Sequence, residues 1–259
     1  MQRPTNITEI IEHRPYPLAG GDWIMSQYWD RLLFAHWPVK PTDLRATVPG
    51  QFELDCFEGD AWIAVVPFIM NRVRFNRLPP LPIASSFLEL NVRTYVKHKG
   101  EAGVYFFSLD ASSPLAVEAA RIWFGLPYLK AKMKATFEEV EEQDNWLEYS
   151  SSRRDRRAVD AELKVRYRPV GAVFESEKDS LEEFLTERYR LFSLKGDRVL
   201  KGEVHHIRWP LQKAEAEFER NTMLNSLGLS ANKLGEPHLL YSKSLETLEW
   251  APVYLETQS

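Results

Sequence analysis

Cysteine is nearly absent. Cys56 stands alone among 259 residues, which excludes an internal disulfide and fits a reducing compartment. Long apolar runs are missing as well. None approaches the roughly 20 residues that cross a bilayer as a helix, so the chain reads as a non-membrane protein. The N-terminal MQRPTNITEIIEHRPYPLAGGDW has no basic region followed by an apolar core, so it does not read as a secretory signal, and a cytoplasmic location is expected. Positive charge is not in excess: 33 Lys and Arg face 37 Asp and Glu, a net charge of -4, and no global basic field favours nucleic acid. Glycine-rich phosphate loops, a G-x-S-x-G elbow, an H-E-x-x-H helix and zinc-like Cys/His spacings are all lacking, so no metal and no cofactor are expected.

What is present is apolar and aromatic. Hydrophobic residues make up 44% of the chain and charged residues 27%, a soluble globular balance in a chain long enough to bury a large core. Eight Trp and fourteen Phe suit β cores and the walls of ligand cavities.

Residues 1–22 read as a short polar helix or arm, and 23–255 as a β-rich core, within one domain spanning 1–259. Trp23–Trp37 enters that core. Pro41–Val48 suits a helix with Thr42 as its cap. Phe52–Phe57 alternates as a strand in which Cys56 is a core residue; Glu58-Gly59-Asp60 turns the chain into the apolar strand Ala61–Met70. Leu78–Pro82 is an extended loop because proline removes backbone donors. Further strands are expected at Leu88–Lys97, Gly103–Leu109, Tyr128–Glu142, Trp146–Ser151, Glu162–Arg168 and Val199–Ile207, with alternation resuming at Pro237–Tyr241. Ser113, Pro114 and Gly125 frame a helix ending near Phe124. Helices are also expected from Ser180 to about Phe192 and over Leu211–Asn221, and RRDRR (153–157) reads as a solvated hairpin. The pattern is α+β and β-rich: an antiparallel curled sheet or barrel with peripheral helices.

Within Leu88–Lys97, Leu88, Leu90, Val92, Thr94 and Val96 share one face, and Glu89, Asn91, Arg93 and Tyr95 share the other. The polar row fits either a solvated sheet face or the wall of a small-molecule cavity. In a cavity, Arg93 would hold a carboxylate by two parallel charge-assisted bonds. Glu89 would transfer a proton if burial raised its pKa. Asn91, Tyr95 and Tyr128 would orient the ligand, with His36 beside it. Lys130, Lys132 and Lys134 form a lysine row whose simplest place is solvent. His205 and His206, adjacent on a strand, point to opposite faces and cannot easily share a metal.

Several blocks in order carry a family likeness: HRPYPL (13–18), LLFAHWPV (32–39), LRATVP (44–49), AWIAVVPF (61–68), ELNVRTYV (89–96), FFSLDASSPLAV (106–117), LPYLKAKM (126–133), Tyr149-x-Ser151-x-Arg153 and WPL (209–211). Over about residues 14–255 the chain resembles the bacterial YqjF-like family of unknown function, distantly similar to the acetoacetate decarboxylase-like superfamily. That resemblance implies a cone-shaped β-barrel enclosing a cavity, and a homo-oligomer as a candidate state. It also implies a difference. The decarboxylases share a Pro-Lys-Lys element whose first lysine forms an imine; the aligned residues here are Pro127-Tyr128-Leu129, and Lys130 is the nearest amine. The expected function is an internal cavity that binds, and in one version transforms, a small carbonyl or carboxylate compound. Two alternatives stand beside it: a non-catalytic binding or interaction protein on the same scaffold, and a lysine Schiff-base decarboxylase or aldolase, which the missing lysines disfavour.

Overall fold

A computed structural model describes residues 6–76, 86–137 and 146–255. The chain order is β1 (Met25–Val39), α1 (Pro41–Arg45), β2 (Glu53–Leu54), β3 (Ala61–Phe75), β4 (Phe87–His98), β5 (Glu101–Ala111), α2 (Pro114–Phe124), β6 (Tyr128–Phe137), β7 (Leu147–Arg153), β8 (Glu162–Phe174), α3 (Leu181–Thr186), β9 (Arg190–Lys195), β10 (Arg198–His205), β11 (Leu211–Asn221), β12 (His238–Glu249) and β13 (Val253–Tyr254). All thirteen strands join one curled sheet. The expected loop at 78–82, the first residues of the N-terminal arm and the distal end of the 128–142 strand lie outside the described residues.

The sheet closes on itself twice, as rings of pairing rather than as a regular barrel. One ring of nine strands runs β5-β6-β7-β8-β11-β12-β1-β3-β4 and back to β5; a second ring of seven runs β5-β9-β10-β12-β1-β3-β4. Pairing is antiparallel except for two short parallel contacts, β5 with β6 and β5 with β9, which the purely antiparallel expectation did not include. Strands β12, β1, β3, β4 and β5 belong to both rings, so they form a wall with an interior on each side. This explains the unbroken apolar run of β3: a strand covered on both faces has no solvent side to mark. Ile63 and Val65 pack into the nine-strand core with Leu33, Leu90, Val92, Tyr149 and Tyr167. Ala64, Val66, Phe68 and Met70 pack on the other side with Phe34 and Trp209.

Prolines sit where a ladder is interrupted or one-sided. Pro67 pairs with Leu90 of β4, but the β1–β3 register jumps between Asp30/Ile69 and Ala35/Val65, so its missing N–H falls in the gap. Pro38 lies beyond the last β1–β12 pair, His36 with His238, and Pro169 beyond the last β7–β8 pair, Leu147 with Tyr167.

Several elements differ from expectation. Leu211–Asn221 is a strand, not a helix. Its Ala, Glu, Lys and Gln residues favour helix intrinsically, but tertiary pairing overrides that weak preference. Ala214, Ala216 and Phe218 face the core while Glu215 and Glu217 meet Arg168 and Arg166 directly across β8. Helix α3 stops at Thr186, and the chain enters β9 at Arg190 rather than continuing to Phe192. Helix α1 starts with Pro41 in its first turn and has no side-chain cap, Thr42 bonding Asp43 instead. Strand β2 covers only Glu53–Leu54; the chain leaves the sheet before Cys56, which is exposed. The arm shows a single 3-10 turn, Ile7–Glu9.

RRDRR is not a solvated hairpin throughout. Arg153 is buried and donates through Nε to Asp110 Oδ1 at 3.0 Å and through Nη2 to Ser108 Oγ at 2.9 Å. Asp155, also buried, accepts the backbone N–H of Lys130 at 2.9 Å. The segment clamps β5 and β6 at the place where their parallel pairing is short.

Candidate functional site

The polar row of β4 faces the interior of the seven-strand ring. Glu89, Asn91 and Arg93 line a cavity of about 110 Å³, with Phe68 and Met70 of β3, Phe106 of β5, Tyr128 at the start of β6, and Glu249 at the end of β12. A solvated sheet face is excluded for these residues: Glu89 is 2% exposed and Arg93 8%.

Local structure holds each group. Gly125, in the left-handed conformation at φ 62°, ends α2 and turns the chain toward Tyr128. Arg121 of the same helix donates to the Tyr128 carbonyl at 2.8 Å. The Tyr128 hydroxyl then donates to Glu89 Oε2 at 3.0 Å. From the nine-strand side, the Tyr149 hydroxyl donates to the Glu89 carbonyl at 2.8 Å, pinning the strand from behind. Burial raises the Glu89 carboxyl to about 8; the Tyr128 bond opposes this, and the nearby Glu249 and Asp110 add to it. At neutral pH Glu89 therefore holds its proton and can donate it.

Glu249 shares the cavity. Gln27 of β1 donates through Nε2 to its Oε1, and burial raises its pKa to about 7. Glu249 and Gln27 stand outside every motif the sequence offers for a site; they reach the cavity only because β1 and β12 close the ring.

Three guanidinium groups line the cavity, and they are not equivalent. Arg188 pairs with Asp55 at 2.6 Å, and Arg190 with Glu101 at 3.0 Å. Arg93 donates through Nη2 to the Leu185 carbonyl at 3.1 Å and to the Tyr95 hydroxyl at 3.5 Å, has no carboxylate partner among the described residues, and leaves Nε unbonded. Beside it the buried Asn91 Oδ1 accepts no hydrogen bond from a described residue. A buried cation without a counter-ion and a buried acceptor without a donor are both costly.

Tyr95 and His36 do not line the cavity. The Tyr95 hydroxyl donates to the Leu185 carbonyl at 2.8 Å and lies 2.7 Å from His36 Nε2, both side chains being completely buried. Desolvation, then the Arg93 charge, keeps the His36 pKa well below its ordinary value, so the ring is neutral. The pair stands behind Arg93 and fixes the carbonyl it bonds. Lys130 lies outside the cavity, half exposed and paired with Glu118 at 2.9 Å, while Lys132 and Lys134 are exposed. No lysine is among the described residues that line the cavity. His206 does line it, stacked on Tyr189, whereas His205 turns the opposite way to meet the Ile7 carbonyl at 2.7 Å. No metal-binding group of three acidic, His or Cys side chains occurs among the described residues.

Residues 26–246 match the DUF2071 family, described as an uncharacterized conserved protein (COG2071). The uncharacterized protein YqjF of Bacillus subtilis (strain 168) is 43% identical over 244 residues, covering 94% of this chain and 98% of that one. Among solved structures, the enduracididine biosynthesis enzyme MppR complexed with pyruvate superposes with a TM-score of 0.62 at 10% identity, covering 93% of each chain. Acetoacetate decarboxylase from Legionella pneumophila superposes with a TM-score of 0.60 at 15% identity, covering 99% of this chain and 98% of that one. An acetoacetate decarboxylase-like enzyme from Sphingomonas wittichii RW1 gives 0.60 at 12% identity, over 91% and 94%. These three likenesses concern the fold. The chain belongs to the DUF2071 family as a YqjF-like member, built on an acetoacetate decarboxylase-like fold.

Proposed function

We propose that the cavity binds a small carboxylate that also carries a carbonyl, such as a short 2-oxo acid. The observation that carries this reading is Arg93: a buried guanidinium with no carboxylate partner among the described residues, next to a carboxyl that keeps its proton. Arg93 anchors the anion. Glu89, held by Tyr128, gives its proton to the carbonyl oxygen, and Asn91 orients the ligand. Tyr95 and His36 support Arg93 from behind without touching the ligand.

Size supports a compact ligand. The volume of about 110 Å³ is below the ~150 Å³ cavity that accommodates benzene, so roughly six non-hydrogen atoms is the limit. Pyruvate fits that limit and is named with the structurally similar MppR, which makes it the first probe. An imine mechanism lacks support, because the lysine nearest the aligned element is held at the surface by Glu118.

Calorimetric titration with pyruvate is the test. Saturable binding is expected, with Arg93→Met abolishing it and Glu89→Gln weakening it. Borohydride added with pyruvate is expected to leave the protein mass unchanged. Absence of pyruvate binding, or equal affinity in Arg93→Met, would remove this assignment. Intact binding with no effect of Glu89→Gln would favour a purely non-catalytic binding protein.

A further inference from the structure

Besides Glu89, the cavity is lined by Glu203, which pairs with Lys201 at 3.2 Å, and by Glu249, which has no cation beside it among the described residues and no task in binding. Glu89 projects from β4 and Glu249 from β12, three strand pairings apart around a ring of seven, so the two enter the same void from opposed walls. Each is held by one oxygen only. Tyr128 donates to Glu89 Oε2 and Gln27 donates to Glu249 Oε1; the remaining oxygen of each takes no hydrogen bond from a described residue. Two carboxyls, each gripped on one side and open on the other across a cavity of about 110 Å³, can contact the two ends of one small molecule at once.

Resting on the 2-oxo acid reading, we propose that Glu249 is a second catalytic residue and that the Glu89–Glu249 pair interconverts the keto and enol forms of the bound acid without an imine. The Glu249 carboxylate takes a proton from the carbon beside the carbonyl. The C–H electron pair becomes the new C=C bond, the carbonyl π pair moves to oxygen, and that oxygen takes the proton of Glu89. Arg93 holds the carboxylate throughout and offsets the charge that grows on the enolic oxygen. The reverse step restores the ketone and both carboxyl states, and no oxidant, reductant or further reactant is consumed. Burial raises both carboxyls, and the charge on Glu249 raises Glu89 further, so loss of the first proton disfavours loss of the second and the singly protonated pair offers one acid and one base.

The consequence is measurable without a coupled reaction. Each enolisation lets a methyl hydrogen of pyruvate exchange with solvent. In deuterated buffer, the protein is expected to accelerate loss of the pyruvate methyl signal, followed by proton NMR, above the buffer rate. Glu249→Gln, nearly isosteric, is expected to slow that exchange by roughly 10²–10⁴-fold, with pyruvate affinity by calorimetry changed only a few-fold. Should Glu249→Gln fail to fold, Glu249→Asp carries the test: a carboxyl withdrawn by one methylene is expected to exchange about 10²-fold more slowly. Pyruvate that binds while its methyl signal decays at the buffer rate would overturn the enolisation and leave the binding assignment standing. Wild-type exchange in the folded Glu249 variants would overturn the role of Glu249. Absence of pyruvate binding would end both readings.

Discussion

The two sides of the shared wall use one backbone for opposite ends. On the nine-strand side, Leu90, Val92 and Val96 of β4 pack against Ile63, Val65 and Leu163 with no ionisable group in the row. On the seven-strand side, Glu89, Asn91 and Arg93 leave a void and carry unpaired or proton-holding groups into it. Alternation along a strand makes this division automatic, since neighbours i and i+1 always point apart. The packed face can supply the stability that the polar face spends, and the cavity can therefore hold groups that an ordinary core would exclude.

The comparison predicts unequal responses to mutation, and the largest is on the packed face. Leu90→Ala is expected to cost about 2–5 kcal/mol in denaturant unfolding, because neighbours on both sides of the wall are fixed and cannot collapse into the gap.

Glu89 sets a pH response of opposite character. Its folded-state pKa of about 8 is above its ordinary value of 4.5, so between those limits the unfolded chain loses a proton that the folded chain keeps. Stability from this group is present below pH 4.5, falls as pH rises toward 8, and is flat above. Glu89→Gln is expected to remove that decline, worth up to about 1.4 kcal/mol per pH unit. Equal pH dependence of unfolding in wild type and variant would show that Glu89 is not held protonated.

Arg93→Met replaces a cation without a carboxylate partner by an apolar side chain of similar length. It is expected to raise stability by about 0.5–2 kcal/mol while removing anion binding. A loss of stability would mean that Arg93 is structural. Cys56→Ser, on an exposed stretch outside both rings, is expected to stay within about 0.5 kcal/mol of wild type.

Much of this architecture was legible where the signal is local. The alternation in β4 marked both faces, and Ser113, Pro114 and Gly125 marked both ends of α2, because caps and strand periodicity need only a few neighbouring residues. Composition misled at β11, where helix-favouring Ala and Glu stand in an alternation that only pairing with β8 reveals. The cavity itself depends on closure. Gln27 and Glu249 are 222 residues apart and meet through β1–β12 pairing, and Arg153 finds Asp110 across 43 residues. No local pattern encodes such meetings. The same holds for the separation of Tyr95 and His36 from the cavity, since the row containing Glu89 and Arg93 gives no sign of where the wall of the void ends.

In the proposed site, a buried guanidinium with no carboxylate partner among the described residues and a carboxyl that keeps its proton together hold a small 2-oxo acid. The most direct measurement is a pyruvate titration of wild type and Arg93→Met, side by side, at neutral pH. One saturable site is expected in wild type and none in the variant, with the variant at least as stable to heat. No heat in either protein, or the same binding curve in both, would contradict it.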